Sequence, residues 1–203
     1  MRPQPPTELL SGVRDCFVPS EELQVWAFET FIEEGAPLHN PDHSHLSDAK
    51  LGMIWTNVPN AKNMRSVAGQ AEKMPPMAMG KWQRARAAAQ IEGWFGELPD
   101  FLLTFDAGAA SVMDDASFCA LVEHELYHCG QEIDQYGMPK FRTDGRPAFA
   151  IRGHDVEEFV GVVSRYGAAA SGVEQMVEAA ARRPLIGEAS IAGVCGTCLA
   201  RVA

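Results

Sequence analysis

The chain lacks any apolar run long enough to span a bilayer, which argues against a membrane-embedded role. It also lacks an apolar segment behind its polar, proline-rich start, Met1-Arg2-Pro3-Gln4-Pro5-Pro6. A standard secretory signal is therefore not expected, and a cytosolic location is. Positive charge is scarce: 17 Lys and Arg stand against 27 Asp and Glu, a formal net charge of −10. A chain this acidic repels a phosphate backbone on average, so a dedicated nucleic-acid-binding role is disfavoured. The short run Lys81-Trp82-Gln83-Arg84-Ala85-Arg86 reads as a solvated helix face. No disulfide framework is expected either. The five cysteines, Cys16, Cys119, Cys129, Cys195 and Cys198, are odd in number and suit reduced thiols. What remains is a globular composition, 46% hydrophobic and 22% charged over 203 residues, with one domain as the default.

The most informative stretch is Ala120 to Gly130, which contains His124-Glu125-Leu126-Tyr127-His128. This is an H-E-x-x-H pattern. On a helix, residues four apart share a face, so two imidazoles can reach one tetrahedral Zn²⁺ at roughly 2.0–2.1 Å each. Glu125 lies beside the first histidine, where its carboxylate can serve as general base on a water at the metal. Phe118, Ala120, Leu121, Val122 and Leu126 supply helical apolar character, and Asp114, Asp115 and Ser117 supply cap and first-turn chemistry. The plainer alternative is an amphipathic helix with two surface histidines.

Around this motif the chain reads as α+β, with residues 1–20 as an N-terminal arm and 21–203 as the main domain. Leu23, Trp26, Ala27, Thr30 and Phe31 recur at helical spacing up to Gly35. His39, His43 and His45 follow in a loop. A separate metal site there would need an extended segment that turns His43 and His45 to one side; a local structural role or support for the main site is the preferred reading. Leu51–Thr56 and Phe101–Asp106 read as strands; residues 60–80 between them are polar and proline-containing, and Met74-Pro75-Pro76-Met77 marks an exposed excursion. A helix is expected over about Gly80–Phe95, with Trp82, Ala85, Ala89 and Trp94 inward. One of the two strands, Leu51–Thr56 or Phe101–Asp106, could be the edge that binds an extended peptide through its backbone. Asp144-Gly145 between apolar runs predicts a hairpin. Val156, Phe159, Val160 and Val163 predict a helix after His154, and a further helix covers roughly Val173–Arg183.

A catalytic zinc takes three protein ligands. His154 is the histidine downstream of the motif and is the preferred third ligand; Glu157 and Glu158, at i+3 and i+4 from it, are the competing assignment. Cys195-x-x-Cys198 is half of a zinc-ribbon signature and could complete a structural site with Cys119 and Cys129 if the tail folds onto the helix. Tyr127, Tyr166, Arg152 and Arg165 are possible oxyanion partners.

The runs W-T-N-V-P-N (55–60), D-F-L-L-T-F-D-A (100–107), C-A-L-V-E-H-E-L-Y-H-C (119–129) and G-H-D-V-E-E-F-V-G-V-V (153–163) resemble the putative phage metallopeptidases of phages and prophages. The resemblance runs from about Glu21 to Cys198. The order of elements is also similar to compact zincins such as the minigluzincins and the ImmA/IrrE-type peptidases, which cleave repressor-like proteins. It implies a compact zincin-like domain with a small β-sheet packed against the H-E-x-x-H helix, in the cytosol of a bacterial host. The offer of His154 departs from the glutamate-ligand pattern of those families. The expectation is a zinc metallopeptidase acting on a peptide or protein, with His124, His128 and His154 on the metal and Glu125 as base. Two alternatives belong to other classes: a non-proteolytic zinc-containing binding protein, which a fourth protein ligand would favour, and an amidohydrolase acting on a non-peptide amide such as a cell-wall crosslink.

Overall fold

The apolar run Leu51–Thr56 is buried at all six positions, and the main sheet is built around it. The computed structural model describes residues 1–12, 14–62, 65–77, 80–156, 159–169, 172–186, 189 and 195–196. The chain divides into two compact units, Met1–Arg152 with Ala189–Ala203, and Gly153–Glu188. In chain order the first unit contains α1 (Thr7–Ser11), β1 (Phe17–Pro19) and α2 (Glu21–Ala27), the last running into a π turn at Phe28–Ile32. A 3-10 helix at Pro41–Asp48 then precedes β2 (Leu51–Thr56), β3 (Ala61–Lys62), β4 (Arg65–Ser66) and β5 (Gly69–Lys73). Next come α3 (Lys81–Phe95), β6 (Phe101–Asp106), α4 (Ala107–Val112), α5 (Asp115–His128), β7 (Cys129–Gln131) and β8 (Phe149–Ile151). The class is α+β.

The sheet order is β1-β2-β6-β5. β2 and β6 are parallel, with Leu51 opposite Phe101 and Thr56 opposite Asp106, and both edge strands run antiparallel to their neighbours. Side chains alternate between faces, as a strand period of two requires. Leu51, Met53, Trp55, Phe101, Leu103 and Phe105 join the main core with Phe118, Leu121, Val122 and Leu126 of α5. Ile54 and Leu102 join a smaller cluster with Ile91 of α3 and Met74. Trp55 packs against both Phe105 and Phe118, with ring centroids at 6.1 and 5.7 Å, and those two rings touch each other at 6.0 Å. Truncating such a buried aromatic to alanine typically costs about 3–5 kcal/mol, so this contact anchors α5 to the sheet.

Several local expectations change. β5 lies inside the polar stretch 60–80, where the sequence predicts no strand; its alternation uses glycine and alanine, which give little apolar signal. The sheet edges are β1 and β5, so neither Leu51–Thr56 nor Phe101–Asp106 is an edge. In α3 the buried side chain is Ile91, and Trp82 is 88% exposed. The first twenty residues contribute α1 and β1, and Arg2 is buried with its guanidinium over the Phe118 ring.

α5 ends at its second motif histidine because Cys129 turns into β7, whose partner β8 sets Cys129 opposite Ile151. The intervening Asp-Gly turn forms as expected: Gly145 has φ +86° and donates its N–H to the Arg142 carbonyl. In the second unit, α6 (Val160–Tyr166) and α7 (Glu174–Ala180) are the described helices. α6 begins later than the apolar spacing predicted and buries none of its side chains. Glu157 and Glu158 lie outside the described residues.

Candidate metal centre

The helix that carries the motif is fixed at its start by two devices. The Asp114 side chain accepts from the Ser117 N–H at 2.7 Å, which satisfies a backbone donor that the helix cannot. Arg2 donates to Asp115 at 2.8 Å and to the Ala110 and Met113 carbonyls. One long face of α5 is then driven into the core, and the motif residues ride on its last turns.

His124 and His128 converge. Their Nε2 atoms lie 3.2 Å apart, and the rings meet nearly edge to face at 75° with centroids at 5.0 Å. Two ligands bonded at 2.0–2.1 Å to one tetrahedral ion would stand about 3.3 Å apart. The tautomer of His128 is set from behind: its Nδ1 lies 2.7 Å from the Arg152 carbonyl oxygen. A carbonyl only accepts, so Nδ1 carries the proton and Nε2 presents its lone pair. That carbonyl is delivered by the β7–β8 hairpin, because the Arg152 N–H donates back to His128 O at 2.9 Å.

Cys195 adds a third donor. Its Sγ lies 3.2 Å from His128 Nε2, and it shares a ligand cluster with both motif histidines. Two imidazole nitrogens and a thiolate are a donor set that suits a four-coordinate transition-metal ion. The residues present fit the metal that the motif implies.

Glu125 is fully buried and packs against β5. A Cβ placed on Gly69 would stand 3.0 Å from Glu125 Cγ and 3.1 Å from its Oε1. Glycine at 69 is what lets the strand pass so close to this carboxylate. The sheet edge and the helix glutamate therefore share one site.

The remaining singled-out residues are placed as follows. His154 is the second residue of the Gly153–Glu188 unit and follows Arg152 by two positions. Cys119 is half-buried and Cys129 fully buried, both with thiols raised above the usual range by desolvation. The Cys129 Sγ donates to the Glu125 carbonyl at 3.4 Å, and neither cysteine joins the ligand cluster among the described residues. Cys198 lies outside those residues. The Tyr127 hydroxyl donates to Asp42 at 3.1 Å and accepts from Asn40 at 2.8 Å, so it is committed to the 3-10 segment.

The loop histidines support the helix. His45 Nε2 donates to the Cys129 carbonyl at 2.7 Å, one residue past the second motif histidine. His43 is fully buried against the Tyr127 ring at 4.6 Å. Desolvation, assisted by the nearby His45, lowers its pKa to about 4. His39, His43 and His45 join no ligand cluster among the described residues.

Two features escaped the sequence: Cys195 as a neighbour of the motif histidines rather than of Cys119 and Cys129, and β5 as the adjoining strand. The C-x-x-C spacing was a visible signal for the first, but nothing local said which part of the fold it would meet. The described helices include none long and apolar enough to cross a membrane. No curated protein and no solved structure matches the chain. A family model does, over residues 25–181, and its description is putative phage metallopeptidase.

Proposed function

The chain belongs to that family, and on that premise we propose that it is a zinc-dependent peptidase of phage or prophage origin, acting on extended segments of protein. The observation that carries this reading is the pair of Nε2 atoms 3.2 Å apart on one helix turn, with the buried Glu125 on the same helix. Zinc is the metal of choice because nitrogen and sulfur donors in a four-coordinate arrangement suit it. When bound, it supplies Lewis acidity for the scissile carbonyl and for the attacking water.

The rest of the chemistry belongs to the chain. Glu125 takes the proton from the water as it attacks, then hands it to the leaving amine. Burial around Glu125 keeps bulk solvent from competing for that proton. β5 offers an extended substrate the backbone edge beside this carboxylate, a form of strand addition. His154 is the proposed third ligand. It follows Arg152, whose carbonyl already touches His128, by two residues, a chain step of at most about 7 Å. Glu157 and Glu158 remain the competing ligands.

Metal analysis and a proteome-wide cleavage assay, on wild type and Glu125→Gln, test the reading. Equal metal content and cleavage lost in the variant are expected, since a neutral amide cannot act as base. Equal cleavage by both proteins sinks the role of Glu125. His154→Ala should release zinc; zinc kept there but lost in Glu157→Ala or Glu158→Ala would transfer the third position.

A second reading is favoured by one specific observation, the approach of Cys195. A fourth protein ligand is the mark of a structural site, which would make the chain a zinc-containing binding protein.

A further inference from the structure

Cys195 meets the motif histidines in a particular way. Its backbone forms a parallel β-bridge with Gly69, and the Gly196 N–H donates to the Gly69 carbonyl at 2.9 Å. β5 is the edge strand of the main sheet. The Asp106 N–H takes the Ala68 carbonyl on the β6 side, so the next carbonyl, that of Gly69, faces away from the sheet. Gly196 thus occupies a backbone position on the outer edge, at the residue that abuts Glu125. The seat is tight. A Cβ on Gly196 would lie 2.7 Å from Val67 Cγ1, closer than real Cβ atoms come, and 3.0 Å from Gln70 Oε1.

We propose that Cys195 and Gly196 close the metal centre from within the chain. The Cys195 thiolate takes a coordination position beside His128, while Gly196 pairs with β5 where an extended substrate would otherwise pair. This assignment rests on the metallopeptidase reading for its consequence but not for its geometry. It also joins two readings that otherwise conflict. Four protein ligands describe a closed site, yet a buried glutamate beside two histidines describes a hydrolytic one. A ligand seated on the outer edge of the sheet, through the Gly196 N–H to Gly69 carbonyl bond, can leave again, and a cysteine in the fold's interior could not. On ligation the thiol proton passes to solvent, and on displacement the thiolate recovers one, so nothing is oxidised.

Cobalt(II) in place of the native metal tests this without reference to activity. The full-length protein should show thiolate-to-cobalt charge-transfer absorption, and Cys195→Ser should lose it while still holding cobalt. Acetohydroxamate, a small bidentate metal ligand, should bind the Cys195→Ser protein about tenfold more tightly or better, because the competing occupant is gone. Gly196→Val keeps the thiol but spoils its seat, and should fall between the two. Identical spectra with and without Cys195 would remove it from the metal. Equal acetohydroxamate affinities, or cobalt released by Cys195→Ser on dialysis, would make it a structural ligand and overturn the occluding role.

Casein cleavage then separates this inference from the one beneath it. Cleavage should rise in Cys195→Ser and vanish in Cys195→Ser with Glu125→Gln. Tight acetohydroxamate binding in a Cys195→Ser protein that leaves casein intact would retire the peptidase reading and keep the ligand assignment.

Discussion

Two segments of the chain each carry a close pair of histidines, and the fold treats them oppositely. On α5, His124 and His128 are four residues apart and their Nε2 atoms meet at 3.2 Å. On the 3-10 helix Pro41–Asp48, His43 and His45 are two apart. Two steps of a helix with three residues per turn rotate a side chain by about 240°, so this pair diverges. His43 goes into the core and His45 reaches across to the Cys129 carbonyl. An extended backbone would have turned both to one side, which is what a second metal site required. Spacing has chemical meaning only together with the period of the backbone that carries it.

The sharpest way to break this contrast is to remove one histidine from each segment and measure metal affinity by chelator competition. His124→Ala or His128→Ala should weaken binding by about a thousandfold or more, since a chelate ligand and its orienting partner are lost together. His43→Ala should leave metal stoichiometry unchanged. Metal lost from the His43 variant, in a protein that remains folded by circular dichroism, would make the loop part of the centre.

The next largest effect is on stability. His43 has a folded-state pKa of about 4 against 6.5 for the exposed group. Between these values the unfolded chain binds a proton that the folded chain refuses, so stability falls as pH drops from about 6.5 towards 4. A gap of this size amounts to about 3 kcal/mol. Urea unfolding at pH 7 and pH 4.5 should show most of that loss in wild type and a smaller loss in His43→Leu. Parallel pH dependence in the two proteins would place the acid sensitivity elsewhere.

The same contrast explains how much could be read in advance. α5, β2, β6 and the Asp-Gly turn were legible because each rests on a local rule: a cap at Asp114, an apolar run at Leu51–Trp55, a glycine with positive φ at Gly145. The pair on α5 was legible for the same reason, because an i, i+4 relation is fixed by the helix alone. β5 was hidden, since Gly69, which passes close to Glu125 and Leu121, has no side chain and Ala71 buries only a methyl group, which leaves no apolar alternation. Cys195 was hidden because its meeting with His128 spans 67 residues. No periodicity reports a contact that long.

The smallest effect is the most specific to the supporting segment. The carbonyl of Cys129 accepts from His45 Nε2 at 2.7 Å, so His45 holds the first residue after the motif helix. At that point the chain leaves α5 for β7, whose pairing with β8 brings Arg152 to His128. Replacing His45 by alanine removes one partly buried hydrogen bond, worth about 1 kcal/mol. The expected result is a small drop in unfolding free energy with metal stoichiometry intact and affinity only slightly weakened, as for a partner two steps removed from the ligand. Full loss of metal in His45→Ala, with stability unchanged, would invert the assignment and make the loop histidine a ligand. A loss confined to stability leaves the 3-10 segment as a brace for the helix end, and the chemistry on α5.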